Sequence, residues 1–298
     1  MSRCMSRVVL DSLGCMVKWT ESMANKKIQT AVIPCAGYGT RLFPVTKSVP
    51  KELLPIVSTP AIQYVVEELV SVGISEIVLV TNSYKMSIED YFLPNNQLNA
   101  FLSDRHKNDE LRQLNDIQNM VKISVVNQPE PKGLGDAVLC AENCIRDQFF
   151  VVALPDVIFP KESKSTARLL NQCKENECGG LLLKEFLPQN SKQYGVVKAQ
   201  SIDDGVYCIK RAVEKPAPDE APSNLGIIGR YVLSKEVFSQ LKRTAVSKSG
   251  EVELTSVLDN TAEKDKFLGV LVDGPLFDVG TIDGYVAATN HFFQKGKS

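Results

Sequence analysis

Between residues 29 and 154, short apolar runs rich in β-branched residues alternate with stretches whose apolar positions recur at helical spacing. That alternation confines the chain to the α/β class, because a strand read at period two cannot exchange places with a helix read at period 3.6. The runs are Gln29–Ile33, Ile77–Val80, Ile123–Val126 and Phe149–Leu154, each short enough and apolar enough for a buried strand. A helix opens with Pro60 at its first turn and closes near Gly73, and its Ile62, Val65, Val66, Leu69 and Val70 form one apolar stripe. Ser87–Phe92 reads as a short helix, Gln97–Met120 as a polar helical excursion, and Gly135–Ile145 as a further helix. The expected architecture is a Rossmann-like, mostly parallel mixed sheet with helices on both faces. Beyond Asp156 the pattern turns β-rich, with strands expected at Gly180–Leu183, Gly195–Lys198, Cys208–Val213, Ile227–Val232 and Phe267–Val272, and a helix at Lys235–Leu241.

Composition excludes several classes. The 298 residues suffice for one sizeable core, and 44% apolar with 23% charged residues is ordinary for a globular chain. A formal net charge of -1 gives no basic field for nucleic acid or for anionic membrane. No apolar run approaches the ~18 residues of a membrane span. Eight cysteines occur without a CxxC pair, and His106 and His291 are the only histidines. A reduced cytoplasmic setting without structural zinc is the simplest reading. Cys140 and Cys144 fall on one face of the expected helix and read as core packing. Residues 1–26 lack a sustained period and do not match a secretory signal. They read as a disordered extension, one version of which has Met23 as the natural start.

The segment after the first strand is the chemically informative one. Cys35-Ala36-Gly37-Tyr38-Gly39-Thr40-Arg41 places two glycines where backbone N–H groups can approach a phosphate, and Arg41 adds a planar, permanently charged fork. A dinucleotide fingerprint is excluded, since Arg41 and Leu42 stand near the place of a third glycine and no helix opens there. No GxxxxGK[ST] occurs either. The loop from Pro34 to Thr59 is about twenty-five residues long, and ordered loops of that length are uncommon unless functional. Within it, Lys51 sits between an X-Pro step and two leucines that can anchor it. Together with Lys47, these residues describe a cradle for a triphosphate.

Ala31–Pro34, Ala36–Arg41, Pro50–Pro55 and Ile62–Glu68, followed by Gly133-Leu134-Gly135, Ala137–Ala141, Leu154–Val157, Tyr194–Val197, Glu214-Lys215-Pro216, Ala221–Leu225, Gly229–Leu233 and Glu253-Leu254-Thr255, resemble the bacterial UTP–glucose-1-phosphate uridylyltransferase family. They run in family order across nearly all of 28–292. The resemblance implies a nucleotide-binding part at 27–160 and a sugar-binding part at 161–298. It also implies Mg²⁺ as cofactor, and in-line attack of glucose 1-phosphate on the α-phosphorus of UTP with loss of pyrophosphate. Arg41 and Lys51 are then the catalytic cations. Ala36, Gly37, Gly39, Thr40, Glu52, Gln128 and Gly133 hold the nucleotide. Gly195, Glu214 and Lys215 hold the sugar phosphate, and Asp156 and Asp278 ligate the metal. No nucleic acid or membrane partner is expected, and a homo-oligomer is left open. The chain departs from the family at Asp136, usually histidine, and at Asp278-Val279-Gly280-Thr281-Ile282, where the family has Asp-Cys-Gly-(Asp or Asn)-Lys. These departures leave open another pair, with dTTP or GTP or another hexose, and a non-catalytic regulatory paralogue.

Overall fold

The computed structural model describes residues 27–247, 250–264 and 266–296; the extension expected at 1–26 lies outside them. Strand β1 (Thr30–Pro34) leads into the long loop, which is built from three 3₁₀ turns at Thr40–Leu42, Val45–Lys47 and Lys51–Leu53. A ribbon of β2 (Pro55–Ile56) and β3 (Thr59–Pro60) closes it. Then follow α1 (Ala61–Ser71), β4 (Glu76–Thr81), α2 (Met86–Phe92), α3 (Asn96–Asp104), α4 (Asn108–Gln118) and β5 (Lys122–Asn127). The polar excursion is therefore two helices, broken where His106 takes a φ of 55°.

Helix α5 (Leu134–Cys140) precedes β6 (Phe149–Ala153) and β7 (Val157–Ile158). It ends earlier than expected, with Cys144 in a separate 3₁₀ turn, so the two thiols do not share one helix face. Both still pack against the core. The second half comprises α6 (Ser165–Asn176), β8 (Gly179–Glu185), β9 (Gly195–Asp203), β10 (Val206–Glu214), β11 (Leu225–Ser234), α7 (Glu236–Leu241), α8 (Leu254–Lys264), β12 (Phe267–Leu271), β13 (Phe277–Asp278) and α9 (Ile282–Lys295). Helices α6 and α8 escaped the sequence reading.

Nine strands form one mixed sheet in the order β5-β4-β1-β6-β11-β8-β12-β10-β9. Strands β5, β4, β1 and β6 are parallel, whereas β11 pairs antiparallel with both β6 and β8. Successive side chains on a strand point to opposite faces, and each face carries its own apolar layer. Ile33, Leu79, Val151 and Leu182 face α1, α6 and α9, while Val32, Val80, Val152 and Leu181 face α5, α7 and α8. On the second face Phe150 stacks on Phe238 with ring centroids 5.3 Å apart. The six described thiols at Cys35, Cys140, Cys144, Cys173, Cys178 and Cys208 are free. Among the described residues no helix is long and apolar enough to cross a membrane.

Two pairings position the chemistry. Leu154–Asp156 leaves the carboxyl end of β6, beside the loop that leaves β1, where open α/β sheets place ligands. The small β7–β13 ladder sets Asp278 opposite Val157, next to Asp156 in the chain. At the other side, the β9–β10 ladder sets Gly195 opposite Glu214.

Candidate active site

A cavity of about 670 Å³ opens at this end of the sheet, lined by Gly39, Thr40, Arg41, Lys51, Asp156, Gly195, Glu214, Lys215 and Asp278 among others. Residues separated by more than two hundred positions thus meet in one space. Lys51 rises from its 3₁₀ turn and places Nζ 2.5 Å from Asp156 Oδ2. Burial works against the Lys51 ammonium, but Asp156 and Glu52 outweigh it and hold its pKa above the usual lysine value. Burial likewise opposes ionisation of Asp156, and Lys51 and then Arg41 reverse the sign, leaving its pKa lowered. Among the described residues no cation pairs with Asp278 in this way; burial and the Asp156 charge push its pKa up.

The two carboxylates converge over Gly280. A Cβ at that position would lie 2.6 Å from Asp156 Oδ2 and 3.0 Å from Asp278 Oδ1, so only glycine leaves both oxygens in place. Paired hard oxygen donors suit a hard divalent cation that keeps water and phosphate oxygens as its other ligands. Among the described residues no group of three or more acidic, His or Cys side chains could hold a metal ion.

On the opposite wall, Glu214 accepts from Thr255 Oγ1 at 2.6 Å and lies 3.1 Å from the Lys215 ammonium. Lys215 adopts a left-handed φ of 43°, and its N–H bonds Tyr194 O at 3.0 Å. Strained backbone of this kind persists where the surroundings fix it. Thr255 and Lys184 also line the cavity. Sequence reasoning assigned neither: Thr255 stood within a motif without a role, and Lys184 carried no signal.

The remaining expected nucleotide contacts lie behind or beside the cavity lining. The Ala36 carbonyl accepts from Asn82 Nδ2 at 2.7 Å, and Gly37 is exposed on the loop. Gly133 caps α5 with a φ of 95° and packs on Glu251 and Val252, where a side chain would collide. Gln128, 2% exposed, donates through Nε2 to Asp136 Oδ2 at 2.7 Å. The Asp136 carboxylate therefore fixes which way the Gln128 amide points.

Glu52 departs from expectation. Its carboxylate is buried under the loop, 2.9 and 3.0 Å from the Lys85 ammonium, and does not line the cavity. Adjacent residues on a 3₁₀ turn diverge, so Lys51 faces the cavity while Glu52 faces inward. Lys85→Met should lower unfolding free energy by about 3–5 kcal/mol in urea titrations, because it strands a buried carboxylate. A loss below about 1 kcal/mol would show that the pair is dispensable.

The profile of the family described as Nucleotidyl transferase matches residues 30–295. The chain belongs to that family. Among its relatives, the UTP–glucose-1-phosphate uridylyltransferase YngB of Bacillus subtilis (strain 168) is 39% identical over 256 residues, 86% of each chain. A second UTP–glucose-1-phosphate uridylyltransferase from the same organism is 36% identical, covering 91% of this chain and 93% of the relative. In three dimensions, a UDP-glucose pyrophosphorylase crystallised with UDP-glucose superposes with a TM-score of 0.82 at 34% identity, covering 90% of this chain and all of that one.

Proposed function

We propose that this chain joins UTP to glucose 1-phosphate, releasing pyrophosphate and forming UDP-glucose. The observation that carries the reading is the meeting of Arg41 and Lys51 with Asp156, Asp278 and the Glu214–Lys215 pair in one cavity. Such a reaction needs no enzyme nucleophile; it needs alignment of two anions and stabilisation of developing charge. Lys215 neutralises the sugar's phosphate while Glu214 accepts from sugar hydroxyls. Arg41 and Lys51 sit on the triphosphate side, and Lys51, held by Asp156, turns its remaining N–H donors to phosphate oxygens as the nucleotide enters. Asp156 and Asp278 would hold Mg²⁺, which would supply positive charge to offset the repulsion between the two anionic substrates. The free thiols are consistent with a cytoplasmic setting.

Folded protein incubated in Mg²⁺ with each nucleoside triphosphate against a panel of sugar 1-phosphates, followed by pyrophosphate release, tests this reading. The expected preference is UTP with glucose 1-phosphate. Absence of turnover with every pair would overturn the enzyme reading, and a preference for dTTP or GTP would reassign the base. Thr255→Val, which removes one hydrogen bond to Glu214, should weaken that bond's support by about 1 kcal/mol and raise KM for the sugar phosphate roughly fivefold. An unchanged KM would contradict the role given to Glu214.

A further inference from the structure

Arg230 is the largest fully buried side chain of the described residues, at 0% exposure on β11. A guanidinium has five N–H donors, and here all five are used. Nε donates to Glu68 Oε1 at 3.0 Å and Nη2 to Glu68 Oε2 at 2.6 Å, which neutralises the charge bidentately. Nη1 donates to the carbonyls of Leu154 at 3.2 Å and Gly229 at 3.0 Å, and Nη2 to the carbonyl of Val157 at 2.9 Å. Thr166 Oγ1 steadies Glu68 at 2.6 Å, and the Arg230 guanidinium carbon lies 5.1 Å from the centre of the Phe159 ring.

The two carbonyls at 154 and 157 bracket Asp156. Val157 is also the residue that pairs with Asp278, and Val279 N–H bonds the carbonyl of Asp156 at 2.8 Å. One buried fork therefore grips the segment that carries the first carboxylate and the short strand that sets the second. A buried ion pair is a poor source of net stability compared with apolar packing, so its use here points to geometry. We propose that Arg230, charge-balanced by Glu68, is a positioning residue that fixes the spacing of Asp156 and Asp278. The proposal rests on the reading of those aspartates as the divalent-cation site of nucleotidyl transfer. Partners that orient metal-ligating side chains typically matter 10–100-fold for affinity or activity.

The test replaces the pair without leaving a lone buried charge, as Arg230→Met with Glu68→Gln. Two readouts are taken: steady-state turnover with UTP and glucose 1-phosphate, and Mn²⁺ binding followed by electron paramagnetic resonance. Expected results are a fall in kcat of roughly 10–100-fold with KM for both substrates changed less than about threefold, and Mn²⁺ binding weakened about tenfold. Leu169→Ala, a core truncation away from the two carbonyls, controls for stability: it should lower Tm yet leave kcat within about threefold. If the double variant keeps kcat and Mn²⁺ affinity within about threefold of wild type, the proposal fails. If the double variant does not fold, Arg230→Lys decides by the same criteria, because the three donors of a single ammonium cannot replace a planar fork that makes five bonds from three nitrogens. Should the wild type itself show no turnover, the functional reading falls, and the Mn²⁺ comparison still decides the role of Arg230.

Discussion

Lys51→Ala is expected to lower turnover at least ~100-fold, the common cost of removing one positioned charge from a reacting centre. The expectation follows from what surrounds the ammonium. Lys51 is the cation in contact with Asp156, and Asp278 lies beside the same glycine. Without Lys51, two carboxylates face an incoming triphosphate with Arg41 as the nearest cation on that loop, and repulsion replaces attraction. Binding suffers less than chemistry, because charge on the leaving pyrophosphate grows toward the transition state; the loss should therefore fall mainly on kcat. Lys51→Arg should not restore the rate, since a planar fork cannot occupy the place of a compact ammonium held 2.5 Å from Asp156. Pyrophosphate release measured at saturating substrates checks both variants. Near wild-type kcat in Lys51→Ala would remove Lys51 from the reaction.

The loop and the aspartates were legible in the sequence for different reasons. Strand β1 announced itself by its apolar β-branched run, and the glycines, Arg41 and Lys51 followed it directly, so their shared neighbourhood was a local matter. Asp156 and Asp278 lie 122 positions apart by subtraction, and family resemblance, not spacing, joined them; the β7–β13 ladder supplies the physical link. The partners of the loop were hidden. Lys85 follows β4, and no local pattern says that its ammonium turns inward to meet Glu52. Arg230 stands in a strand whose neighbours are apolar, where a charged residue ordinarily marks an exposed edge. Its burial depends on Glu68, brought over from α1 by the fold. Helix α6 was missed because its inward stripe mixes Ser165 and Thr166 with Leu169, Leu170 and Cys173, which weakens the apolar period.

Asp156→Asn should be the second severe lesion, again at least ~100-fold in turnover. The substitution keeps shape and leaves the backbone bond from Val279 N–H to the Asp156 carbonyl, so folding is not the expected casualty. What changes is charge. Lys51 loses the carboxylate that holds it in place and raises its pKa, and Asp278 is left as a single anionic donor over Gly280. Because Lys51 and Asp156 are in direct contact, their effects should not add. The double variant Lys51→Ala with Asp156→Asn is expected within about tenfold of the slower single variant, as for residues that act as one unit. Full additivity, some ~10⁴-fold below wild type, would mean that the two act at separate steps. In that case the 2.5 Å contact would be a resting arrangement with no part in turnover.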